Sequence, residues 1–121
     1  MAEATVDISP KVTDENMYSS VLTYASNSGN DVIGSVENAD QFQYHYFEFN
    51  ISGISGTVVM RVEGTLSGNG WFNLSADDTD TSYTTNGTYL LSSTRGLRCK
   101  NVRLRKVSGT GTIQAYYRGG N

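Results

Sequence analysis

A chain of 121 residues holds one domain with one hydrophobic core, burying roughly two-thirds of the surface its unfolded form exposes. Tyr dominates the aromatics, with eight against four Phe and one Trp, Pro occurs once, and helix formers are sparse, so a helical fold is excluded. Charge is divided, with nine acids and two bases in residues 1–63 and three acids and seven bases in residues 64–121, a division that fits either an acidic arm and a basic face or two faces that are simply solvated.

Residues 1–16 are polar and acidic, with Pro10 among them. Val6, Ile8 and Val12 recur at even spacing, as in an extended arm that lays one edge on a surface, its own or a neighbour's, with a frayed terminus as the other reading. A single domain is expected over residues 17–121. MYSSVLTY at 17–24 and DVIGSV at 31–36 are strand-like, with a turn cluster at 27–31 between them. FQYHYFEFNI at 42–51 is the clearest strand. Phe42, Tyr44 and Tyr46 alternate on one face, then Phe47, Phe49 and Ile51 on the other, a phase change that implies a β-bulge or burial on both faces.

SGISG at 52–56 reads as a turn, and TVVMRVEG at 57–64 alternates again. WFNLS at 71–75 is a short strand and ADDTDTS a polar loop; Asn86-Gly87 signals a tight turn within YTTNGTYLLSS. LRCKNVRLRKVS at 97–108 places Val102 and Leu104 opposite Arg103 and Arg105, after which SGTGT turns the chain into IQAYYRG at 113–119. The openings SGISGTVVMRVEG and VSGTGTIQAYYRG echo each other as recurrent turn chemistry. The whole reads as an all-β protein, an antiparallel β-sandwich of jelly-roll-like type with an extended N-terminal arm. Its expected core includes Val58, Met60, Val62, Trp71, Leu104 and Ile113.

Catalytic chemistry has few carriers. His45 is the one histidine, in mid-strand between tyrosines, and reads as a packed residue; Cys99 is the one thiol, which leaves no intrachain disulfide. No cofactor or metal is expected, because a zinc set cannot be assembled. Asp77, Asp78 and Asp80 lack the turn glycine and distal glutamate of a calcium loop. No apolar run approaches the ~20 residues of a bilayer span, so a membrane partner is not expected. The first ten residues have no basic or apolar leader region, and no export signal is read there.

The basic segment 95–106 contains Arg95, Arg98, Lys100, Arg103, Arg105 and Lys106 and no acid. Nucleic acid is disfavoured, since the chain is acidic as a whole and its aromatics lie elsewhere. An acidic protein surface fits better, and a merely solvated strand face fits as well. Arg98, Lys100, Arg103 and Arg105 are therefore candidate partner contacts, together with Val6, Ile8 and Val12 of the arm. Trp71 with the tyrosines could form a sugar-stacking platform, but a lone Trp followed by Phe72 and Leu74 at strand spacing is usually core, and sequence alone does not separate the two.

The run from Gly56 to Gly119 resembles the second half of β-sandwich virion proteins of bacteriophages. GTVVMRVEGTLSGNGWFNLS, NGTYLLS and VRLRKVSGTGTIQAYYRG carry the likeness, with Glu63-Gly64, Gly70-Trp71-Phe72 and Gly111-Thr112-Ile113 as matching points. The resemblance implies a non-enzymatic structural part of a phage particle and no catalytic residues. A decoration or cement protein on the outer surface of the head, made in the host cytoplasm, is the leading expectation. Its partners would be the major capsid protein and/or other copies of itself. A tail, neck or receptor-binding module, or a carbohydrate-binding β-sandwich with a glycan partner, is the alternative.

Overall fold

The computed structural model describes residues 4–7, 18–26, 31–75 and 79–120, with side chains described from Val32 onward. These residues form β1 (Ala4–Asp7), β2 (Tyr18–Ser26), β3 (Asp31–Glu37), a 3-10 turn (Ala39–Gln41), β4 (Tyr44–Thr65), β5 (Phe72–Asn73), β6 (Thr81–Tyr83), β7 (Gly87–Ser92) and β8 (Asn101–Gly120). The all-β expectation is met. Strand pairing is antiparallel except between β1 and β3, where Val6 lies opposite Val36 in parallel register.

Two long strands organise everything else. β4 and β8 pair along their whole length, from Tyr44↔Gly120 to Thr65↔Asn101. In the first stretch of β4, His45, Phe47, Phe49 and Ile51 are buried while Tyr44, Tyr46, Glu48 and Asn50 are exposed. This is the two-residue period of a strand with one wet face. The expected phase change is not a bulge in this strand, because register with β8 runs unbroken from Tyr44 to Ser52. Phe42 falls out of phase for a different reason: it precedes the strand, capping the 3-10 turn, and enters the core from there.

The segments 52–56 and 108–112, read as turns, do not end their strands. They lie opposite each other, with Ser55 paired to Thr110, and form a corner through which both strands continue. Register slips between Ser52 and Ser55, between Ser55 and Val59, and between Val59 and Met60. Such irregularities bend and twist a strand pair sharply. The echo between the two sequence segments is thus the corner seen twice.

The corner divides one sheet into two facing halves. In the front half, residues 44–52 of β4 and 111–120 of β8 are flanked by β7 and β2. In the back half, residues 58–65 of β4 and 101–108 of β8 are flanked by β5, β6 and β3, with β1 outside β3. Asn86-Gly87 is not the tip of a hairpin, because β6 and β7 both pair with β4 on opposite sides of the corner. The chain crosses the bend there, and the Asn86 side-chain oxygen accepts the Ile54 N–H at 2.9 Å.

The core lies between the halves. Val58, Met60, Val62, Leu104 and Ile113 are buried as expected, joined by Phe47, Phe49 and Tyr117 from the front half. Phe49 meets Tyr83 of the back half edge-on, ring centroids 5.4 Å apart. Trp71 is the exception, half-exposed at the mouth of β5.

Gly109 fixes the bend. Its φ is +102°, and a Cβ there would overlap the Thr57 carbonyl oxygen and stand 2.7 Å from Val58 Cα. Backbone atoms cannot swing aside as a side chain can. Gly109→Ala should therefore cost at least about 2 kcal/mol, read as a lower urea midpoint. Gly53→Ala, with open space around the same atom, should cost markedly less.

Candidate binding face

Of the basic candidates on β8, two are already engaged by acids of this chain. Register places Glu63 opposite Arg103, and Arg61 opposite Arg105. Two arginines facing each other would repel. Glu63 resolves this by holding all three: Arg103 Nε at 2.7 Å, Arg105 Nη1 at 3.0 Å and Arg61 Nη1 at 3.1 Å. Arg61 also grips Asp80 with two bonds, 2.7 and 3.0 Å, and Asn73 donates to the same carboxylate at 3.1 Å. Burial pushes the Glu63 carboxyl up, but bonds from Arg103 and Arg61, with the charges of Arg103 and Arg105, outweigh it and leave the pKa below its ordinary value.

Trp71 belongs to this cluster. The Arg103 guanidinium sits over its ring, 4.0 Å from the centroid. The expectation of a core tryptophan is corrected accordingly: the ring supports an arginine on the back-half surface. Arg98 donates to the carbonyls of Gln41 at 2.8 Å and Asp40 at 3.4 Å, which closes the end of the 3-10 turn. Lys100 is exposed. Val6 lies in β1, where only the backbone is described, and Ile8 and Val12 lie outside the described residues, as do Asp77 and Asp78. Among the described residues no cluster of three metal-ligating side chains occurs.

His45 is wholly buried. Its Nδ1 accepts from the Tyr117 hydroxyl at 2.8 Å and its Nε2–H donates to the Leu97 carbonyl at 3.1 Å, so the neutral ring is satisfied at both nitrogens. Burial lowers its pKa, the Leu97 bond opposing in part. Burial also pushes the Cys99 thiol up to about 11, which keeps it protonated near neutral pH.

The face that sequence reasoning missed is the outer side of the front half. Tyr44, Tyr46, Leu90 and Tyr116 are 37%, 38%, 65% and 45% exposed there. Three cross-strand rows run over β7, β4 and β8: Ser92–Tyr46–Arg118, Leu90–Glu48–Tyr116 and Thr88–Asn50–Gln114. A groove of 420 Å³ opens among Tyr46, Glu48, Leu90, Tyr116 and Arg118. Neither Glu48 nor Arg118 makes a side-chain hydrogen bond or ion pair among the described residues. The signal was present in the alternation of His45, Phe47, Phe49 and Ile51, which leaves Tyr44, Tyr46 and Glu48 facing outward. Grouping Phe42 with the tyrosines hid it.

No family model matches this chain, and no curated protein matches it. Among solved structures it is similar to the SPBc2 prophage-derived protein YomS, at 15% identity and a TM-score of 0.52, over 92% of this chain and all of that one. PirA matches at 14% identity and a TM-score of 0.49, over 92% of this chain and all of that one. The enzymatically active domain structure of the bacteriophage CBA120 tailspike protein 4 matches at 13% identity and a TM-score of 0.48, over 85% of this chain and 15% of that one. The likeness to YomS is one of fold.

Two acid responses follow. Glu63 is held charged below its unfolded pKa, so its contribution is complete above about pH 4.3 and is lost as pH falls through the folded value. Glu63→Gln should cost about 2–3 kcal/mol at pH 7, less than a fully buried pair because the arginines are partly exposed, and the penalty should shrink at pH 3. His45 acts at higher pH. Below about pH 6.5 the unfolded chain takes up a proton that the buried ring resists, so stability should decline from there. His45→Gln should remove that part of the slope in urea titrations at pH 7, 6 and 5.

Proposed function

We propose that the chain is a non-enzymatic structural and binding component of a phage particle, a decoration protein held on the head surface through the outer face of its front half. The observation that carries this reading is that face itself. Exposed tyrosines and a leucine stand on the sheet beside an acid and a base that this chain leaves unpaired among its described residues. Exposed aromatic patches of this kind mark interaction surfaces. The back-half arginines offer much less, since Arg61, Arg103 and Arg105 are bound to Glu63. The fold shared with prophage-derived YomS and the sequence resemblance to virion sandwiches support a phage setting.

In this reading the partner is the major capsid protein, and the site holds aromatic anchors ringed by polar side chains. Particles purified from a lysate producing this chain should contain it in numbers comparable to the major capsid protein, by quantitative mass spectrometry. Immunogold label should cover the head. Label confined to the tail would replace decoration with the tail-module reading, and absence from particles would overturn both.

A further inference from the structure

The pattern of side chains across the front face specifies a class of ligand. Tyr46 and Tyr116 sit on adjacent strands at diagonal positions, about 7–8 Å apart in such a ladder. Arg118, opposite Tyr46, and Glu48, opposite Tyr116, occupy the other diagonal. Rings and charges therefore form a checkerboard, with Leu90 extending it across β4. The third row bounds it, because Asn50 already donates to Thr88 at 3.2 Å. The groove's 420 Å³ lies in the range of small-ligand sites, about 300–1,000 Å³.

We propose that this groove binds a neutral oligosaccharide. The inference rests on reading the front face as a binding surface and not on the placement of the chain in a particle; a glycan and the capsid protein would compete for these same residues, and the tyrosine variants separate the two. A sugar ring presents C–H faces to tyrosine rings and hydroxyls at its rim, each able to donate and accept. Glu48 accepts from such hydroxyls and Arg118 donates to them in a planar fork. Other ligands match the lining less well. An anion that Arg118 attracts meets the Glu48 carboxylate, and a cation meets Arg118. A purely aliphatic surface would strip water from both charges and give neither a partner. One acid and one base beside two rings favour an uncharged ligand rich in hydroxyls.

The test uses the whole chain with labelled tyrosine and tryptophan rings and leucine methyls, observed by NMR. After an array of neutral and charged glycans, cellotriose, maltotriose and triacetylchitotriose serve as neutral probes and sialyllactose as the anionic one. A neutral glycan should shift the Tyr46, Tyr116 and Leu90 signals and leave the Trp71 indole unchanged. Tyr46→Ala and Tyr116→Ala should each weaken binding about tenfold, the loss of one ring contact. Glu48→Gln should also weaken it with the unfolding midpoint unchanged, and the two tyrosine variants should remain folded at the assay temperature.

The proposal is overturned if no neutral glycan moves those signals at about 10 mM, a level that detects millimolar affinity, or if the anionic probe is preferred. Loss of particle attachment in the tyrosine variants, without glycan binding, would keep the face as a protein-docking surface and reject the sugar. A concentration-dependent dimer abolished by Tyr46→Ala would assign the groove to a second copy and likewise reject the sugar. Glycan binding by a chain absent from particles would uphold this inference and reject the particle reading.

Discussion

The bend in the β4–β8 pair is the constraint on which the architecture depends. A flat ladder of this length would leave one apolar side of Phe47, Phe49, Met60 and Leu104 in water. Folding the ladder at residues 52–56 and 108–112 brings that side against itself, so two strands supply the centre of both layers. The bend requires backbone conformations that favour glycine, and Gly53, Gly56 and Gly109 all have positive φ. Lys106, buried beside the corner, donates to the Gly109 carbonyl and fastens the inside of the bend.

With both inner faces committed to the core, the outer faces are left for interaction, and they are built differently. The back half closes its own electrostatics: three arginines share Glu63, Asp80 takes the second fork of Arg61, and Trp71 lies under Arg103. Such a surface is largely self-satisfied. The front half leaves rings and charges without partners among the described residues. The asymmetry is itself an argument about where a partner would bind, since desolvating a group that already holds its bonds gains less than engaging one that does not.

Much of this was legible in residue order. Two-residue alternation in 57–64 and 102–106 located the central strands and assigned Val58, Met60, Val62 and Leu104 inward, and the all-β class followed from the short period and the scarcity of helix formers. What the period could not reveal is pairing. Glycine-rich segments mark both a reversal and a bulged corner with the same residues, so 52–56 and 108–112 read as turns when their mutual register is unknown. Asn86-Gly87 misleads in the same way. The basic segment 95–106 reads as free because Glu63 lies far away in sequence and becomes its neighbour only through β4–β8 pairing. Trp71 is ambiguous for a related reason, as hydrophobicity alone does not distinguish a core ring from one that carries a guanidinium.

The strand order has a consequence for how the protein is made. β8 joins β2, β3 and β4, yet it follows all of them along the chain. On the ribosome, the earlier strands emerge with their central neighbour still missing and their edges open to other chains. No half-sandwich can close first, because each half draws its middle strand from β8. Assembly must wait for residues 101–120 and then proceed with both halves together, through contacts as remote as Tyr44 with Gly120. Slow, all-or-none folding is the expected kinetics for such a non-local topology, and the interval before β8 arrives is when chaperones would matter most.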